Sequence, residues 1–440
     1  MNETDTRKKA VVIVDGLSSG AYLAPRFKAR GIPCIHIMSH AVYPDGIQSM
    51  IPTNLIATES PYIENLVFEG DFGTILQALG RYSILGVIPG MELAVPFADA
   101  LSECMGLPSN GTRGSLTRRN KFLMQCALRH AGVPTKEFLC TENEDEVLAW
   151  YRSRKYPEIV IKPMKSAGTD GVRFCKSEDD IRQAVRALLG TKGLLGEENT
   201  AILAEERLFG TEFGVNTVSW DGKHRLAELW QYHKVPVEGA GNVYDCTRLH
   251  DWPDETLMPL VRYAFRVLNV LGIRYGAAHT EIMLTEKGPL LVESGARVMG
   301  GNIPPDLILQ CAGQCQIDLT VQAYRDPDTF LTEVDKPYKL RRHLIRKHLI
   351  AGCEGAPSGE ISAIDHLAEL PSCVRGDFVH LIDDWYVSRT VDMVTSPAKV
   401  FLMHEDPNVI LSDYRVIRQY EQNHEQAFYN LGMPETECRM

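Results

Sequence analysis

Two glutamates carry the strongest chemical signal in this chain. Glu281 lies in Ala278-His279-Thr280-Glu281-Ile282-Met283-Leu284 and Glu293 in Leu290-Leu291-Val292-Glu293-Ser294, with Thr285-Glu286-Lys287-Gly288-Pro289 between them. A hairpin closed around those five turn residues sets Leu284 against Leu290, and therefore Glu281 against Glu293 on one face. Like charges directly opposed destabilise a sheet. Two carboxylates within about 5 Å call for a cation or a shared proton. Oxygen-only ligands near a nucleotide suit Mg2+, which needs only one or two carboxylates and takes the rest from phosphates and water. A different register would turn one of the two to solvent.

Three further segments carry charge where it needs a partner. Ile159-Val160-Ile161-Lys162-Pro163 ends a buried strand in a lysine, and an unpaired buried ammonium is costly. The loop that follows, Lys165-Ser166-Ala167-Gly168-Thr169-Asp170-Gly171, has small side chains and free amides that can close over phosphates; read alone it is equally an ordinary hairpin turn. It is not a Walker A loop, and no such run occurs in the chain. Ala204-Glu205-Glu206-Arg207-Leu208 and Glu212 form a strand end whose backbone and carboxylates can bond an adenine edge and ribose hydroxyls, although acidic turns are common on surfaces. Arg297, four residues past Glu293 and followed by Gly300-Gly301-Asn302, places a guanidinium where a transferring phosphoryl group or an oxyanion would need it. A surface arginine paired with an acidic neighbour is the plain alternative.

The elements that must hold these residues read as an α/β chain. Residues 9–37 are strand, glycine turn, helix, strand: a βαβ unit opening a doubly wound sheet, with Ser18 or Ser19 as a candidate helix cap. No Gly-x-Gly-x-x-Gly fingerprint is present, so dinucleotide binding there is disfavoured. Asn110-Gly111-Thr112-Arg113-Gly114 marks a boundary. Helices are expected over 116–130, 144–154, 178–189 and 255–271, strands over 135–140, 158–162, 172–175 and 201–206, and a β-hairpin over 275–293. After about residue 325 short strands such as 344–350 and 378–382 indicate a β-rich unit. The expected division is 1–112, a Rossmann-like N-terminal domain; 113–325, a central domain; and 326–440, a small C-terminal domain. The basic run Arg341 to His348 reads as a strand with a solvated face.

With 440 residues, three domains fit a prior of about 150 residues each. Hydrophobic residues at 44% and charged residues at 23% exclude a mainly disordered or collagenous chain. A net charge of −11 makes general binding to nucleic acid unfavourable. The eleven cysteines contain no Cys-x-x-Cys pair, which points to reduced thiols; Cys311 and Cys315, at helical spacing, read as core. The N-terminal apolar run Ala10–Val14 is too short for a signal core or a membrane span. A cytoplasmic protein is expected.

Taken in order, these segments resemble the ATP-grasp superfamily of carboxylate–amine ligases over residues 10–320, and within it the L-amino acid ligases that make dipeptides, of the dapdiamide and bacilysin type. Ala278-His279-Thr280-Glu281, Glu293-Ser294-Gly295-Ala296-Arg297 and Trp230-Gln231-Tyr232-His233-Lys234 carry the closer likeness. Gly359-Glu360-Ile361 and Pro407-Asn408-Val409-Ile410 resemble the C-terminal domain of that branch. The resemblance implies an N-terminal pre-ATP-grasp domain, a central ATP-grasp fold with α+β subdomains, ATP with Mg2+ as two ions, amino-acid substrates and a homodimer, with neither nucleic acid nor membrane as partner. It implies Lys121 and Lys162 as the nucleotide lysines, and Lys165, Ser166, Gly168, Thr169 and Gly171 as the phosphate loop. Glu205 with Glu206 and Leu208 is implied as the adenine hinge, and Glu212 as the ribose ligand. Glu281 and Glu293 are implied as metal carboxylates, and Arg297 with Lys162 as catalytic. Glu228, His233, Lys234, His279, Arg297 and Gly300 are implied on the substrate side, with Glu228 a candidate for a substrate ammonium. Many family members carry Asn where Gly295 stands, which leaves the second metal ion without an amide ligand.

The implied reaction phosphorylates a substrate carboxylate with ATP, and an amine then displaces phosphate from the acyl phosphate. An ATP-grasp enzyme activating bicarbonate or formate is the rival. A regulatory protein with a decayed site would need a lost lysine or carboxylate, and all four are present.

Overall fold

The computed structural model describes residues 6–44, 47, 60–166, 171–193, 196–237, 241–352, 354–355, 366–377, 387–393 and 395–422. Three sheets organise them. In the first, β1 (Lys8–Val14), β2 (Cys34–Met38), β3 (Tyr62–Val67) and β4 (Tyr82–Pro89) run parallel in the order β3-β2-β1-β4. The apolar run Ala10–Val14 is wholly buried, as a strand covered on both faces must be.

The second sheet, β5 (Phe138–Thr141), β6 (Ile159–Pro163), β7 (Arg173–Cys175) and β8 (Ile202–Glu206), is antiparallel in the order β5-β8-β6-β7. The helices Glu144–Arg154 and Glu178–Leu188 pack on it around Val147, Ile159, Ile161 and Ile181. Acidic first turns favour both helix starts.

The third sheet has eight strands: β9 (Thr211–Trp220), β10 (Lys223–Val237), β11 (Gly241–His250), β12 (Gly276–Thr285), β13 (Gly288–Gly295), β14 (His343–His348), β15 (Cys373–Asp377) and β16 (Lys399–His404). Their order is β13-β12-β9-β10-β11-β14-β16-β15, so the strands after residue 326 continue the central sheet through β11 and β14. We propose the division 1–112, 113–325 and 326–440, with the last two units sharing that sheet. The largest core joins Val11 and Phe27 of the first unit to Trp230, Leu260 and Val267 of the second.

Several expectations are corrected. The helix expected from Leu116 begins at Lys121, because the Asn120 side chain accepts from the Leu123 amide and caps it there. Ser18 and Ser19 cap nothing: they lie inside a short 3-10 turn, Ser18–Tyr22, and face Asn302 instead. The hairpin tip is tighter than five residues, with Thr285 opposite Gly288 and Leu284 opposite Pro289. The run Arg346-Lys347-His348 is buried, not solvated. Lys347 lies between Asp245 at 2.9 Å and Glu421 at 2.7 Å, the second from the C-terminal helix Pro407–Gln422. Partners distant in sequence thus neutralise Lys347 within a run that local charge reads as surface. The expected strand 378–382 and the segment Gly359-Glu360-Ile361 fall outside the described residues.

Candidate active site

The glutamate pair forms because of one extra residue. From the tip, Thr285–Gly288, Leu284–Pro289, Met283–Leu290 and Ile282–Leu291 pair in sequence, and then Glu281 pairs with Glu293. Val292 is the added residue, a β-bulge. Leu291 points into the core, wholly buried. Simple alternation would send Glu293 the same way; the bulge turns it to the cavity face with Glu281. Both glutamates line a cavity of about 1080 Å³ between the second and third sheets.

Cations surround the pair. Lys121, at the start of its helix, sets Nζ 2.8 Å from Glu293 and 3.0 Å from the Ser166 carbonyl. Burial opposes ionisation of Glu293, but the Lys121 ammonium, with Lys162 and Arg297, holds its carboxyl down at about 2. Arg297 places Nε 3.1 Å from Oε2 of Glu92. Glu92 follows β4 and is a residue that sequence reasoning missed. A Cβ on Gly295 would lie 2.8 Å from that same Glu92 oxygen. The space of the absent amide is therefore taken by a third carboxylate. The opposed pair Glu281 and Glu293 offers oxygen ligands of the kind that suit a hard divalent cation.

At the end of β6, Lys162 sits 2.7 Å from Glu205, and Lys136 sits at the same distance from the same oxygen, all three buried. The two ammonium groups outweigh burial and hold Glu205 below the ordinary carboxylate range. Lys136 was also missed; nothing in Val133-Pro134-Thr135-Lys136 marks it. Glu205 thus uses one oxygen to set Lys162, while its other oxygen is buried and without a hydrogen-bond partner among the described residues. The Glu206 amide donates to the Glu137 carbonyl, and Glu206 and Leu208 border the cavity. Glu212 receives Lys234 at 2.9 and 2.8 Å, so Lys234 stands beside the expected ribose ligand. Lys165 pairs with Glu197. Ser166 and Gly171 line the cavity, and Gly168 and Thr169 lie outside the described residues.

On the substrate side the placements diverge. His279 sets Nε2 3.3 Å from Glu281 and 3.1 Å from the Tyr232 hydroxyl. Its Nδ1 lies 2.7 Å from Asn216 Oδ1, and the Asn216 amide donates to Glu228 at 2.8 Å. Because the Glu228 carboxylate accepts, it fixes the amide and, through it, the imidazole. Glu228 does not itself face the cavity. Buried, it takes the Trp230 indole N–H and the Gln316 amide, each at 2.7 Å, and burial pushes its carboxyl up. This corrects the ammonium role expected for it. His233 lies on the rim, bonded at 2.9 Å to Asp245, and Gly300 lines the cavity.

Residues 119–244 match the phosphoribosylglycinamide synthetase ATP-grasp (A) domain. Over 431 residues the chain is 32% identical to dapdiamide A synthase of Enterobacter agglomerans, covering 97% of this chain and 98% of that protein. This chain belongs to the ATP-grasp carboxylate–amine ligases. Two solved structures of the ATP-grasp fold lie over most of its length. The L-amino acid ligase of Bacillus licheniformis superposes with a TM-score of 0.71 at 18% identity, over 94% of this chain and 98% of that one. The carboxyaminoimidazole ribonucleotide synthase of Aspergillus clavatus, solved with ATP, gives 0.65 at 16% identity, over 94% and 99%. In this ATP-grasp chain a nucleotide-sized cavity opens between two antiparallel sheets. Among the described residues no helix is long and apolar enough to cross a membrane.

Proposed function

We propose that this enzyme joins the carboxylate of one amino acid to the amine of a second, with ATP converted to ADP and phosphate through an acyl phosphate. The direct opposition of Glu281 and Glu293 within a ring of lysines and Arg297 carries this reading. Such an arrangement suits a triphosphate whose terminal group is to be transferred. The likeness to dapdiamide A synthase along the whole chain supports amino acids as the substrates.

In this reading Glu205, Glu206 and Leu208 edge the adenine, Glu212 takes the ribose, and Lys121 and Lys162 hold the phosphates, with the loop residues Lys165, Ser166, Gly168, Thr169 and Gly171 as further phosphate ligands. Glu281 and Glu293 would hold Mg2+, as two ions. Bound there, Mg2+ would supply positive charge against the phosphates. Arg297 faces the oxyanions that develop on the acyl phosphate and the tetrahedral adduct. His279, oriented by Asn216 and Glu228, presents Nε2 to Glu281 and the Tyr232 hydroxyl at the cavity wall. A homodimer belongs to the same proposal.

Phosphate release from ATP tests it, measured with single amino acids, with amino-acid pairs and with bicarbonate. Release that requires a pair, with an amide product of matching mass, is expected. Release with bicarbonate alone would assign the chain to the carboxylating enzymes instead.

A further inference from the structure

The cations of the cavity are not all matched. Lys121 has Glu293, Lys136 and Lys162 share Glu205, Lys234 has Glu212, and Arg297 has Glu92. Arg346, on β14, lines the same cavity and is only 2% exposed. Among the described residues no carboxylate lies within ion-pair distance of it. One nitrogen donates to the Gly301 carbonyl at 2.8 Å, and Nε is buried without an acceptor among the described residues. Its ionisable surroundings include the phenols of Tyr232 and Tyr244 and the imidazole of His348, none of them a carboxylate. A buried guanidinium without an anion is expensive, and a fold retains one where an anionic ligand completes it.

The approach is built in. Gly301 has a φ of +88°, and a Cβ there would lie 2.1 Å from the Arg346 guanidinium. Only glycine at 301 admits the arginine in this pose. The segment from Arg297 to Gly301 therefore carries one guanidinium at its start and meets a second at its end. The first stands against Glu92 on the side of the glutamate pair, while the second borders the cavity with Tyr232 and Gly300.

An amide-forming reaction between two amino acids presents two carboxylates. One is activated and consumed. The other, on the amino acid that supplies the amine, stays ionised in the product. We infer that Arg346 holds this second carboxylate, and so selects amine donors that carry a free acid. The inference rests on the ligase reading above. A guanidinium offers two parallel N–H donors to a carboxylate, which also orients the amine.

The test uses the whole enzyme, with the proteinogenic L-amino acids as amine donors and then with the carboxamides of those that react. In the wild type each carboxamide should fall in kcat/KM by about 100-fold against its free acid. Arg346→Met should bring the free acid down to the level of its carboxamide and leave the KM for ATP unchanged. Arg346→Lys should recover part of the preference. Carboxamides that react as well as free acids in the wild type would overturn the inference and leave the ligase reading intact; this arm decides even if Arg346→Met does not fold. A rise in the KM for ATP with the acid preference retained would also overturn it, and would place a phosphate on Arg346. If no pair of amino acids reacts, the ligase reading falls and this inference with it.

Discussion

Glu92 occupies with its carboxylate the space that a side chain at Gly295 would need, 2.8 Å from where that Cβ would stand. The two residues are far apart in sequence and meet because β4 of the first sheet delivers its following turn to the end of β13. A carboxylate from the N-terminal unit thus stands where the resemblance leads one to expect an amide.

Restoring that amide should therefore harm the enzyme. Gly295→Asn would drive Glu92 away and release Arg297, and kcat/KM should fall about 100-fold, the scale of an ångström-sized displacement of a reacting group. Glu92→Gln should loosen Arg297 and lower kcat/KM in the same direction. Full activity in Gly295→Asn would show that Glu92 has no part in the site.

Removing either member of the glutamate pair should be more severe. Glu281→Gln and Glu293→Gln should each lower kcat by about 100-fold or more. Binding of Mn2+ in the presence of ATP, followed by its electron spin resonance, should weaken in both. Amide formation that persists in Glu293→Ala would remove it from the catalytic machinery.

Lys136 gives a pH signature. Burial pushes its ammonium down to about 8, with Lys162 acting in the same direction and Glu205 opposing. Below that pH the group is charged and adds to the field that faces an anion; above it the charge is lost. The KM for ATP should rise several-fold as pH climbs past about 8, and Lys136→Met should flatten that rise. Lys162→Ala should bind ATP far more weakly at every pH.

Glu228 separates a structural role from a substrate role. Glu228→Ala leaves the Asn216 amide, the Trp230 indole and the Gln316 amide without their acceptor. It should cost about 3 kcal/mol or more of stability, read by urea unfolding. A raised KM with unchanged stability would instead return Glu228 to substrate binding.

The residues legible in the sequence were those whose partners lie close along the chain. The pairing of Glu281 with Glu293 could be read because one hairpin holds both, although the count reached it through a wide turn and the protein reaches it through a tight turn and a bulge at Val292. Lys162 could be read because a lysine ends an apolar strand. Glu92, Lys136 and Arg346 could not, since each acquires its meaning from an element far away in sequence. Arg346 and Lys347 show the limit most plainly: charge periodicity assigned them to solvent, and the helix Pro407–Gln422 with Asp245 and the cavity buried them. Glu228 was expected as a substrate ligand by resemblance, yet the Asn216 amide, the Trp230 indole and the Gln316 amide take up its buried carboxylate.

The most direct test follows the oxygen. The acid substrate is labelled with 18O in both carboxylate oxygens and turned over with ATP and the amine donor, and the released phosphate is weighed by mass spectrometry. One labelled oxygen per phosphate is expected for every amide formed, because the carboxylate attacks the terminal phosphoryl group and leaves one oxygen on it. Unlabelled phosphate, or label recovered in AMP, would contradict an acyl phosphate and the account built on it.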